Sequence, residues 1–102
     1  MSIKKQFLKT KPICKIKFRL SGKETRNAKQ IFLAGDFNRW DQTVTPMKAL
    51  KNGDFVVTLD LETGREYQFR YLFDGIVWGN DPGADRYSHS LYGNCDNSVV
   101  SI

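Results

Sequence analysis

From Tyr67 to Phe73 every second residue is aromatic: Tyr67, Phe69, Tyr71 and Phe73 alternate with Gln68, Arg70 and Leu72. A period of two belongs to a β-strand with one dry face, and four aromatic rings in phase carry too much apolar area to leave in water. The aromatic side is therefore expected in the core and Arg70 outside. "CKIKFRL" has the same period, with Cys14, Ile16, Phe18 and Leu20 on one face and Lys15, Lys17 and Arg19 on the other. These two strands are read at 66–73 and 13–20, and further strands at 30–36, 46–51, 54–60, 76–79 and 97–102. Asn52-Gly53 and Asp74-Gly75 are the turn signals of two hairpins. Helical periodicity is absent. Seven short strands with turn formers between them predict an all-β chain: an immunoglobulin-like, early-set β-sandwich of about seven antiparallel strands.

The 102 residues allow one such module, read over 13–102, preceded by a basic leader at 1–12. Residues 1–23 hold eight Lys or Arg and no acid, and residues 24–102 hold eight basic and eleven acidic residues, so a +8 segment precedes a −3 body. That split describes a solvated strand face and a frayed terminus better than a cationic groove, and it speaks against nucleic acid. There is no apolar run of membrane-spanning length, and the lysine-rich start lacks the apolar centre of a signal peptide, so a cytoplasmic location away from membranes is expected. Cys14 and Cys95 stand apart, without metal-ligand spacing. They are read as reduced thiols, a disulfide between terminal strands being the alternative in an oxidising compartment.

Across the Asp74-Gly75 hairpin, Val77 is expected to share the core while Ile76 and Trp78 point outward, bringing Trp78 beside Arg70. In "GDFNRW" a second indole, Trp40, stands at the edge of a polar loop continued by Asp41-Gln42-Thr43. Two flat apolar plates and a fork of donors suit a sugar, whose C–H face stacks on an indole and whose hydroxyls take hydrogen bonds from planar polar groups. Each residue also has a plainer reading. Trp78 packs within a strand, Trp40 tucks under the 41–46 loop as a hydrophobic lid, Arg70 pairs with Asp60 or Glu62, and Tyr87 and Tyr92 cover one end of the core. "NDPGADRY" reads as a turn with an Asx motif.

"IFLAGDFNRW", "YQFRYLFDGIVWGNDPGADRY" and "YGNCDNSVV", in this order from about residue 14 onward, resemble the family-48 carbohydrate-binding module. That family includes the early-set domain of isoamylases and branching enzymes and the glycogen-binding domain of the AMP-activated protein kinase β subunit. The resemblance implies a β-sandwich that binds α-1,4-linked glucans such as glycogen, starch or maltooligosaccharides. It implies sugar stacking for Trp40 and Trp78, a basic contact for Arg70, a hydrophobic contact for Tyr92, and hydroxyl contacts for Asp96 and Asn97. At Asp96 the kinase module has Asn, and a carboxylate accepts but does not donate. The enzyme-linked relatives, closer around "WGNDPGADRY", include members that have lost sugar binding.

Catalysis is not expected. A glycosidase needs two carboxylates facing each other in a cleft, and Asp81 and Asp85 fall in one turn. His89 has no nucleophile context, and no phosphate loop occurs. The sequence therefore predicts a non-catalytic, cofactor-free and metal-free glucan-binding module, with a glycogen-metabolising enzyme in trans as a further partner. The alternative is an early-set domain retained as a protein-interaction or scaffold module, with sheet-edge pairing through the N-terminal strand. A third reading, single-stranded nucleic-acid binding, requires steep salt dependence.

Overall fold

A computed structural model describes residues 3–89 and 96–102. Among the described residues, nine strands form two antiparallel sheets packed face to face. In the first sheet, β1 (Ile3–Phe7), β2 (Ile13–Leu20), β5 (Phe55–Glu62) and β4 (Lys48–Ala49) lie in that order. The second sheet has β3 (Ile31–Gly35), β6 (Glu66–Phe73), β9 (Asp96–Ser101) and β8 (Arg86–His89), with β7 (Val77–Gly79) also paired to β6. The all-β sandwich is thus as the alternation predicts. Strands β2 and β6 match their expected limits, and the structure adds β1 and β8, which the alternation does not mark.

Their absence from the pattern has a physical cause. In β1, Ile3 pairs with Phe18 and faces inward, but Lys5 occupies the next inward phase. Its ammonium leaves at the sandwich edge and crosses to the second sheet, where it donates to Asp85 at 2.7 Å and to the Ser101 carbonyl at 3.0 Å. The basic N-terminal segment is therefore a clasp between the sheets. Partial burial pushes the Asp85 carboxyl up, but the Lys5 bond and the Ser101 amide outweigh it, so its pKa is lowered.

The core lies between the inward faces. Cys14, Ile16, Phe18 and Leu20 from β2 and Tyr67, Phe69, Tyr71 and Phe73 from β6 are all buried. Phe18 meets Phe69 edge-on at 5.1 Å between ring centres, and Phe69 meets Tyr71 at 5.8 Å. Such pairs contribute about 0.5–1.5 kcal/mol each beyond their buried area. Cys14 is a buried free thiol, and Cys95 lies outside the described residues.

Both turn signals make hairpins. Gly53, at φ 92°, closes a loop in which the Leu50 amide bonds the Asp54 carbonyl at 2.7 Å; only Lys48–Ala49 of the expected strand 46–51 pairs with β5. At the second turn Asp74 and Gly75 both take positive φ, 53° and 71°, and the Ile76 amide reaches the Phe73 carbonyl at 3.0 Å. Val77 corrects the expectation that it shares the core. It stands opposite Phe73 in inward phase, yet it is 45% exposed. The core ends at Phe73, whose ring is capped by the Arg26 guanidinium at 4.8 Å. Among the described residues no helix is long and apolar enough to cross a membrane.

Candidate functional site

The outward face of β6 carries Gln68, Arg70 and Leu72 in a row, and each has a defined neighbour. Strand β3 sets Ala34 beside Arg70 and Phe32 beside Leu72. On the other side Trp78 of β7 stands opposite Leu72, and β9 sets Val99 opposite Gln68. Ala34, Leu72 and Val99 are buried, so an apolar floor underlies the polar row. Trp78 is half-buried on this face, a diagonal neighbour of Arg70 as the hairpin register predicts.

Asn97 lies at the position where the β6–β9 register would continue to Arg70. Its Oδ1 accepts from Arg70 Nε at 2.5 Å, and its Nδ2 donates to Gln68 Oε1 at 2.9 Å. The relay fixes the guanidinium through one edge. Among the described residues the two terminal nitrogens of Arg70 have no hydrogen-bond or ion-pair partner, and the pairing with Asp60 or Glu62 does not form. Arg70 thus presents a donor fork to solvent from a half-buried stem.

Trp40 is placed by the "GDFNRW" turn, residue by residue. Gly35 admits β6 so closely that a Cβ there would lie 2.5 Å from the Gln68 carbonyl oxygen and 2.7 Å from Phe69 Cβ. Phe37 turns inward against Phe18, Tyr67 and Phe69. Asn38 staples the loop: its Oδ1 accepts from the Gly35 amide at 3.0 Å, and its Nδ2 donates to the Leu33 carbonyl at 2.8 Å and Thr45 Oγ1 at 2.9 Å. Arg39 and Trp40 are both left-handed, at φ 58°, a conformation that costs an L-residue about 1 kcal/mol or more and concentrates at functional sites. The reversal brings the Trp40 amide onto the Gly35 carbonyl at 2.8 Å and the indole Nε1 onto Asp36 Oδ1 at 2.9 Å. Asp36 Oδ2 in turn accepts from the Gln68 amide at 2.8 Å.

Strand β6 therefore acts as a ruler. Trp40 is tied through Asp36 to Gln68, Arg70 comes next on that face, and Trp78 is paired to Leu72, about 13 Å along the strand from Gln68. The Trp40 ring is half-buried, and with its N–H committed to Asp36 its faces are what it offers.

Asp96 is not brought to this face. It precedes Asn97 on β9 and so points to the opposite side, where it stands across from His89 with Oδ1 3.3 Å from Nδ1. Tyr92 lies outside the described residues. Asp36, Gln68 and Asn38 are the residues that sequence reasoning did not single out, and only the turn and register reveal their roles.

The carboxylates weighed for catalysis are occupied with structure. Asp81 is fully buried; one oxygen accepts from the Gly83 amide at 2.7 Å, the expected Asx turn, and the other from the Tyr71 hydroxyl. Burial, reinforced by the Asp81 charge, pushes the Tyr71 phenol well above its usual range. Tyr87 donates to the Asp81 carbonyl, and Ser98 Oγ accepts from the Asp81 amide at 2.8 Å. Asp85 is held by Lys5 and by the Ser101 amide at 2.7 Å.

A search of curated proteins finds no significant match. The family described as the glycogen recognition site of AMP-activated protein kinase matches residues 17–99, a span that includes the "GDFNRW" turn, β6, the Trp78 hairpin and most of β9. The match covers most of the chain, and the chain therefore belongs to this glycogen-recognition family of carbohydrate-binding modules, a non-catalytic kind of domain.

Proposed function

We propose that the outward face of the second sheet binds α-1,4-linked glucans such as glycogen, starch and maltooligosaccharides. Trp40 and Trp78 stack on glucose rings of one chain, and Arg70 donates from its terminal nitrogens to hydroxyl oxygens between them. Asn97 and Gln68 hold Arg70 in position, and Tyr92 adds an apolar contact. Of the 96–97 pair, Asp96 is turned toward His89 and the buried Asn97 is engaged with Arg70 and Gln68, so the part of Asn97 is to aim the guanidinium. The observation that carries this reading is an unneutralised guanidinium, braced on Asn97, on a strand that has one half-buried indole tied to each end of its outward row.

The face is open, so binding to a short oligosaccharide is weak. Stacking contributes about 1 kcal/mol per ring beyond buried area, and branched polymers gain through multiple contacts. In the cell the module would bring a separate glycogen-metabolising enzyme to its polymer. Native electrophoresis through gels containing glycogen tests the reading. The wild-type protein is retarded relative to a gel with dextran, and Arg70→Ala migrates faster than wild type in glycogen. Equal mobility in all gels contradicts glucan binding and favours the scaffold reading. Retardation that vanishes with added salt would point to charge instead of stacking.

A further inference from the structure

The outward face of the first sheet, on the far side of the sandwich from the proposed glucan face, carries cations in register. Lys4 of β1 stands directly opposite Lys17 of β2, with Thr58 next in the same row. In the neighbouring rows Arg19 and Lys48 flank Val56, and Lys15 lies between Gln6 and Asp60. Arg19 is neutralised by Asp54 at 2.6 Å. Among the described residues Lys4, Lys15, Lys17 and Lys48 make no ion pair. Counting Asp54, Asp60 and Glu62 against the five cations leaves +2 on this face.

Like charges directly opposite each other on neighbouring strands destabilise a sheet. Lysines on an edge strand guard against edge-to-edge association, which accounts for Lys4. It does not account for Lys15 and Lys17, because β2 is an interior strand flanked by β1 and β5. An excess of unpaired cations of this kind serves instead to steer and register an oppositely charged partner.

We infer that this face docks an acidic polypeptide surface, so that the module holds a protein on one sheet while the other remains free. Charge complementarity selects an anion, and the chemistry of the face selects the polypeptide. Single-stranded nucleic acids are held by cations together with aromatic plates, and the outward positions of β1, β2, β4 and β5 carry no aromatic side chain. Membrane surfaces take up exposed apolar side chains; among the described residues these are Phe7, in the inward phase at the end of β1, Val44 in the loop before β4, and Ile76, Val77 and Tyr87 of the other sheet or its hairpin, so none stands on the outward face of β1, β2, β4 and β5. The inference does not depend on glucan binding.

The test uses a fluorescein-labelled oligo-glutamate peptide and the full chain at low ionic strength, read by anisotropy. The wild type binds, and Lys4→Glu/Lys17→Glu weakens binding by about tenfold or more. The single Lys17→Glu variant, which sets a carboxylate opposite Lys4, gives an intermediate loss and serves if the double variant does not fold. Lys29→Glu, with the same change in net charge as Lys17→Glu but beside the Asp74 turn of the second sheet, binds as the wild type does, and saturating maltoheptaose changes nothing. The inference is overturned if the peptide does not bind, or if Lys17→Glu and Lys29→Glu lose affinity equally. It is also overturned if oligodeoxythymidine or phosphatidylserine vesicles bind more tightly than the peptide through the same two lysines.

Discussion

Asn97 stands across from Arg70, and its carbonyl oxygen takes the guanidinium Nε proton at 2.5 Å while its amide donates to Gln68. The contact leaves the terminal nitrogens of Arg70 turned outward, so the function assigned to Arg70 depends on a neighbour that need not itself be the main sugar contact. Asn97→Ala is expected to weaken maltoheptaose binding about three- to tenfold, since a hydrogen bond to a charged group contributes about 1.5–3 kcal/mol and part of that is orientation. Calorimetric titration checks this. Unchanged affinity in a folded Asn97→Ala protein would remove the relay from the account.

Asp36 joins Trp40 to the Gln68 amide, so the indole is positioned from the sheet and not from its own loop alone. Asp36→Ala frees the ring and leaves the left-handed Trp40 backbone without one of its supports. Faster Trp40 depolarisation is expected, measured in a Trp78→Phe background, together with an affinity loss of about three- to tenfold. If the indole stays as rigid as before, its placement comes from packing instead.

Gly35 is required for closeness of backbone to backbone. Gly35→Ala places a Cβ 2.5 Å from the Gln68 carbonyl oxygen and 2.7 Å from Phe69 Cβ, neither of which is a flexible side-chain tip. Destabilisation of about 1–3 kcal/mol or more is expected from urea unfolding, because β3 must move away from β6. A variant as stable as the wild type would show that this approach is not tight in solution.

Glu66 accepts from Arg86 and from Ser101 Oγ at 2.8 Å, and these bonds lower its pKa from the ordinary 4.5 to about 2. A carboxyl held down in the folded state adds stability that is complete above its unfolded pKa and is lost as pH falls toward the folded one. The thermal midpoint should therefore drop between pH 4.5 and 2 less steeply in Glu66→Gln than in the wild type. The effect is small at an exposed pair. Identical slopes would show that the pair is not maintained in solution.

What was legible in the sequence follows from where a periodic signal was strong. The aromatic alternation of 67–73 placed β6, its inward face and Arg70 without ambiguity, and the Asp74-Gly75 turn carried that phase across to Trp78. The phase of β9 was not legible in the same way. Val99 and Val100 are both buried, one on each face, so the run gives no alternation to separate Asp96 from Asn97. Trp40 was conspicuous, but its anchor was not. Asp36 becomes its partner only because two successive residues adopt φ 58°, which no apolar pattern encodes. β1 escaped detection because Lys5 fills an inward phase in order to reach Asp85.

Two indoles tied to opposite ends of one row are proposed to share a glucan. Titration of the purified protein with maltoheptaose, followed by tryptophan fluorescence in the wild type, Trp40→Ala and Trp78→Ala, tests this proposal most directly. A saturable change is expected in the wild type, with a loss of affinity of about fivefold or more in each variant, equivalent to about 1 kcal/mol per stacked ring. No saturable change at millimolar sugar, or full affinity in either folded variant, would contradict it.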